Sequence, residues 1–166
     1  RVFTHLEPVL SEIQPEWVLV QGDTTTVMAA ALLAFYHQIK VGHVEAGLRT
    51  GDKFQPFPEE INRRVTDLLS DPLYVTAPEG EVNLAREGID GTRVVFVGNP
   101  MIDTLVAHLD RFDPAPVQAR LGLEPPYAVA TLHRPANVDT AEAAEALVGA
   151  LRAATSRVPL VLPLHP

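Results

Sequence analysis

A chain of 166 residues that is 46% hydrophobic, with a mean hydropathy of +0.08, has enough apolar material for a folded core and too little polar bias for a disordered segment. Its 13 Lys and Arg against 21 Asp and Glu leave a formal charge of -8 and no basic stripe, so nucleic acid is not an expected partner. The absence of cysteine excludes disulfides, thiolate metal sites and a cysteine nucleophile, and no apolar run reaches the roughly 18 to 20 residues of a membrane helix. With no signal-peptide pattern at the start, the expected location is the cytoplasm.

In chain order, Arg1 to Leu10 reads as part of a helix and Trp17 to Val20 as a short apolar strand. Thr24 to Gln38 is an Ala-rich helix, and Lys40 to Val44 a second strand. Pro58 to Ser70 follows as a helix with Pro58 at its first position, where a missing N–H costs nothing. Leu73 to Thr76 is a strand, and Glu79 to Glu87 a helix closed by Gly88 in the left-handed region. Val94 to Val97 runs into the turn-forming Gly98-Asn99-Pro100, and Met101 to Arg111 is a short helix. Asp113 to Glu124, rich in Pro and Ala, reads as a link before the strand Ala128 to Leu132, the amphipathic helix Thr140 to Arg157 and the strand Leu160 to Leu162.

Strand-length apolar runs alternating with helical stretches predict an α/β fold with parallel sheets. The change of texture after Gly98 divides the chain into residues 1–97 and 98–166, two domains of one larger fold through which both ends are expected to be cuts.

Ligands of an open parallel sheet sit outside the carboxyl ends of the strands, so polar residues just after strands are the ones to inspect. Gln21-Gly22-Asp23-Thr24-Thr25-Thr26 is the first such place, where Asp23 either caps the next helix or faces a ligand. In His43-Val44-Glu45-Ala46-Gly47-Leu48-Arg49-Thr50, Glu45 faces a ligand or pairs with Arg49, while His43, inside the strand, is expected to be a structural histidine. Glu59 and Glu60 occupy a first helical turn, as the helix dipole favours, and Arg63 can pair with Glu59 or reach a phosphate. His133 and Arg134 follow a strand and could both donate to an anion. No P-loop, Gly-x-Gly-x-x-Gly or His-Glu-x-x-His motif occurs, so neither a metal nor a dinucleotide cofactor is expected.

Taken together with Gly98-Asn99-Pro100, the order and spacing of these segments closely resemble the non-hydrolysing UDP-N-acetylglucosamine 2-epimerases. The resemblance implies a glycosyltransferase-B-like fold of two Rossmann-like domains, with the nucleotide held mainly by the second. It implies interconversion of UDP-N-acetylglucosamine and UDP-N-acetylmannosamine through UDP elimination to 2-acetamidoglucal and re-addition, with no cofactor, in a homodimer serving polysaccharide biosynthesis. It makes Asp23, Glu45, Glu59 and His133 catalytic and Thr24, Arg49, Arg63 and Arg134 substrate-binding. Pro135-Ala136 departs from the more polar Arg-Glu of relatives, which puts one secondary contact in doubt. A sugar transferase of the same architecture, or a non-catalytic piece of the epimerase, is the alternative.

Overall fold

The computed structural model describes residues 2–132 and 139–163. Among them the chain forms two compact units, Arg1–Asp110 and Arg111–Pro166. The α/β class with parallel sheets is the observed one.

In the first unit, helix α1 (Val2–Ile13) leads into β1 (Trp17–Gln21), α2 (Thr25–Tyr36), β2 (Lys40–Ala46), α3 (Glu59–Leu69), β3 (Leu73–Val75), α4 (Pro78–Arg86), β4 (Val94–Phe96) and α5 (Pro100–Ala107). The strands lie in the order β1-β2-β3-β4, every neighbour parallel, so each connection returns through a crossover helix. Val20, Ala31, Ala34 and Val41 form one buried cluster, closed by Val27 and Leu69. Ala46, Leu73, Val75 and Leu84 form a second, in which Leu73, Val75 and Leu84 are wholly removed from water. Each such side chain contributes on the order of 1.5–3 kcal/mol of transfer free energy. The many alanines of α2 let it lie close against the sheet and α3.

Element ends follow local chemistry. Gly88 closes α4 with φ 78, as expected, while Pro58 stands one position before α3 as its N-cap rather than at the first helical position. Thr24 caps α2, its hydroxyl accepting from Val27 N–H at 3.3 Å. Thr24→Ala therefore lowers unfolding free energy by about 1 kcal/mol, read from urea denaturation.

In the second unit, α6 (Ala115–Leu121), β5 (Ala128–Val129), α7 (Ala141–Thr155) and β6 (Leu160–Val161) make a βαβ unit preceded by a helix, with β5 and β6 parallel. The stretch read as a link thus contains α6. Pro114 and Pro116 disguised it, yet Pro114 takes the N-cap and Gly122, with φ 63, ends it in the left-handed region.

Candidate functional site

Because the strands of the first sheet run parallel, the loops after β1 and β2 and the start of α3 gather at one edge. Asp23 follows β1 and its carboxylate is taken by Arg63 of α3, whose Nε and Nη2 donate to Oδ2 at 2.9 and 2.7 Å. Both bonds land on the same oxygen, so Oδ1 keeps no partner among the described residues. The side-chain amide of Asn62 donates to the Asp23 carbonyl at 2.9 Å, which ties the backbone of this turn to α3 as well. Since Thr24 takes over the capping, Asp23 is not the N-cap.

Glu45 stands at an irregularity of β2, where the pairing with β3 shifts register between Val44 and Ala46. Its φ is 71, the left-handed region that a non-glycine residue enters at a cost of roughly 1–3 kcal/mol and that concentrates at functional positions. Gln21 donates to Glu45 Oε1 at 2.8 Å, and Oε2 reaches over Gly22, 3.9 Å from where a side chain there would begin. Gly22 itself has φ 81, the left-handed region that favours glycine, and the approach of Oε2 puts the Glu45 carboxylate beside the Asp23 turn.

Glu59 opens α3 one turn before Arg63 and is half-buried. Among the described residues its carboxylate makes no hydrogen bond or ion pair, so the Glu59–Arg63 pairing does not form; Arg63 instead donates to Glu60 at 3.1 Å and to Asp23. His133 and Arg134 lie outside the described residues.

Arg49 does not pair with Glu45. Its Nε and Nη2 donate to Glu87 at 2.9 and 2.8 Å, Nη2 also meets Asp67 at 2.8 Å, and Nη1 donates to the Leu48 carbonyl. These donors face the protein, an arrangement of an anchor rather than of an open substrate contact. Burial works against the charge on Arg49, but hydrogen bonds and Coulombic attraction from Glu87 and Asp67 outweigh it and hold its pKa above the ordinary value. The Arg49 hydrogen bond in turn holds the Glu87 carboxyl below its ordinary range.

A lowered folded-state pKa stabilises above the unfolded value and is lost as pH falls through the folded one. Glu87→Gln is therefore expected to be less stable than the parent at neutral pH, with the difference shrinking on acidification through the carboxylate range. Denaturant midpoints at several pH values check this, and a difference independent of pH would exclude the pair as its source.

Three residues of α3 received no site role from the sequence. Glu60, 1% exposed, accepts from Thr50 and Gly51 N–H at 3.1 and 3.2 Å; Asn62 and Asp67 are also buried. Ile61 and Leu68 on the same helix are exposed by 40% and 68%. The signal was present as polar residues at 60, 63 and 67, spaced three and four apart, but such a stripe ordinarily faces water.

A parallel α/β sheet with carboxylates, rather than a glycine-rich phosphate loop, at its carboxyl edge is the architecture of a glycosyltransferase-B-like chain. The family model for UDP-N-acetylglucosamine 2-epimerase matches residues 1–166, and the chain belongs to that family. It is 38% identical over 166 residues to the UDP-N-acetylglucosamine 2-epimerase of Yersinia pestis, covering 100% of this chain and 44% of that protein. Among solved structures, the Neisseria meningitidis UDP-GlcNAc 2-epimerase bound to UDP-GlcNAc superposes with a TM-score of 0.87 at 36% identity, covering 99% of this chain and 46% of the other. The Methanocaldococcus jannaschii enzyme in complex with UDP-GlcNAc and UDP gives a TM-score of 0.84 at 35% identity, with the same coverage of 99% and 46%. The chain thus spans less than half the length of the relatives it matches.

Proposed function

We propose that the whole protein interconverts UDP-N-acetylglucosamine and UDP-N-acetylmannosamine, with Asp23, Glu45 and Glu59 as its acid–base groups. The observation that carries this is the meeting of Asp23 and Glu45 at one sheet edge, each with one carboxylate oxygen free of partners among the described residues. Family membership over the full length of the chain supports the substrate.

The sugar's C2–H is not adjacent to a carbonyl, so it becomes acidic only as the C1–O bond breaks and positive charge builds on the ring. A carboxylate takes that proton, the C–H electrons become the C1=C2 bond of 2-acetamidoglucal, and the C1–O electrons leave with UDP. Re-addition delivers a proton to C2 from the opposite face while a UDP oxygen returns to C1. Inversion needs acid–base groups on both faces, which is why a set of carboxylates fits and a single one does not; each such group contributes on the order of 10²- to 10⁴-fold.

Arg63 fixes the Asp23 rotamer and leaves Oδ1 to the substrate, while His133 and Arg134 meet the UDP phosphates, where N–H donors stabilise the charge of the leaving group. Thr24 completes the substrate-binding set in this reading, while Arg49 acts from behind it by holding its loop to Glu87 and Asp67. The resemblance extends the proposal to a cytoplasmic homodimer that feeds polysaccharide biosynthesis. Among the described residues no helix is long and apolar enough to cross a membrane.

Incubation of the whole protein with UDP-N-acetylglucosamine in deuterated water tests the proposal. Deuterium installed at C2 of both sugar nucleotides is expected. Transfer of the sugar to an acceptor without deuterium at C2 would replace this reading with a sugar transferase.

A further inference from the structure

The mechanism leaves unused a buried polar chain that starts on α3 and ends on the backbone of both strand-end turns. Asp67 and His43 are 1% and 0% exposed. Asp67 Oδ1 lies 2.5 Å from His43 Nδ1, and on the other side of the ring His43 Nε2 donates to the Gly22 carbonyl at 2.8 Å. Asp67 Oδ2 accepts from Gly47 N–H at 3.1 Å and meets Arg49 Nη2 at 2.8 Å. Gly22 is the residue before Asp23, and its own N–H donates to the Val44 carbonyl at 3.0 Å, so both of its peptide groups are pinned. Gly47 is two residues after Glu45, on the far side of the register shift.

We propose that Asp67 and His43 are positioning residues for the epimerisation, a clamp that holds the Asp23 and Glu45 turns in mutual register from beneath without touching substrate. The inference rests on the function proposed above. One carboxylate on α3 controls both turns, directly at Gly47 and through the His43 ring at Gly22. Stability alone does not call for such a chain, because buried charged clusters are often replaced by apolar side chains without loss. What the chain supplies is geometry. The turn at Glu45 has a strained backbone, and a strained residue keeps its conformation only where its surroundings over-determine it. Misplacing a reacting group by about 1 Å costs on the order of a hundredfold in rate.

The test is steady-state kinetics and C2 deuterium incorporation on the whole protein and three variants. Asp67→Asn keeps the shape but cannot accept at both oxygens. His43→Gln carries an amide nitrogen near the position of Nε2 and can still donate to Gly22, whereas His43→Asn is too short to do so. We expect Asp67→Asn and His43→Asn to lower kcat by roughly ten- to a hundredfold, with KM changed by less than about threefold. His43→Gln should recover a large part of the kcat lost in His43→Asn.

Folded Asp67→Asn and His43→Asn with kcat within about twofold of the parent would overturn the clamp, as would a fall in thermal midpoint alone. If Asp67→Asn does not fold, the two His43 variants decide, and equal kcat in both overturns the inference. A parent protein that installs no deuterium overturns the epimerase reading and the clamp with it; a parent that installs deuterium beside unaffected variants removes only the clamp.

Discussion

Asp23→Asn, Glu45→Gln and Glu59→Gln are each expected to cut turnover of the whole protein at least about a hundredfold while leaving its fold intact. The change from carboxylate to amide removes a proton acceptor and preserves volume, so far-ultraviolet circular dichroism and the denaturation midpoint should barely move. The three positions differ in what else the substitution disturbs. At Asp23 an amide oxygen can still accept from Arg63, and at Glu45 one can still accept from Gln21, so the local scaffold survives. At Glu59 no partner is disturbed among the described residues, which makes its variant the cleanest test of a chemical role. Near-normal turnover in any of the three would remove that residue from the mechanism.

The largest effect on stability is expected from Gly47→Ala. Gly47 has φ +82, and a Cβ there would lie 2.6 Å from the Gly80 carbonyl oxygen and 2.8 and 2.9 Å from Gly80 Cα and C. All three are backbone atoms of α4, which cannot swing aside as a flexible side chain could. The left-handed conformation costs an L-residue roughly 1–2 kcal/mol, and the clash brings the expected loss to about 3 kcal/mol. Gly51 provides the control, with the same φ of +82 and nothing within 4 Å of its added Cβ. Gly51→Ala should show the conformational cost alone. Equal losses in urea denaturation of the two variants would mean that the approach of α4 to the loop does not constrain it. A mutant at Gly47 should also lose turnover, because the same residue donates its N–H to Asp67 two positions beyond Glu45.

Most strands of the first sheet were legible as short apolar runs, from which the two buried clusters follow, whereas β2, with Lys40, Gly42, His43 and Glu45 in it, showed the pattern least. Helix α4 was legible for its end, where Gly88 takes the conformation that an L-residue avoids. Helix α6 was hidden by its own prolines, which break a helix in the middle but start one at its first turn. At the site, Asp23 and Glu45 could be suspected from their place after strands, yet only the fold shows that Arg63 reaches across 40 residues to one of them and Gln21 across 24 to the other. His43 read as a structural histidine and is wholly buried, but its link to Gly22 depends on a register between β1 and β2 that no local pattern encodes. Asp67 was illegible for a physical reason: in the last turn of α3, an acid in line with the polar residues at 60 and 63 has the pattern of a solvated face.

That inverted helix bears on how the protein can change. Replacing buried charged clusters with apolar side chains is often neutral or stabilising by about 1–4 kcal/mol. Leucine or methionine at position 60 or 67 alone is a different change, because it leaves the Thr50 and Gly51 N–H groups, or the Gly47 N–H and His43, without their acceptor, and breaking a buried pair from one side costs about 3–5 kcal/mol. Helix α3 thus locks its glutamate and aspartate in place through the donors they hold, and a thermostabilised version of this protein should be built from the surfaces of α2 and α7 instead.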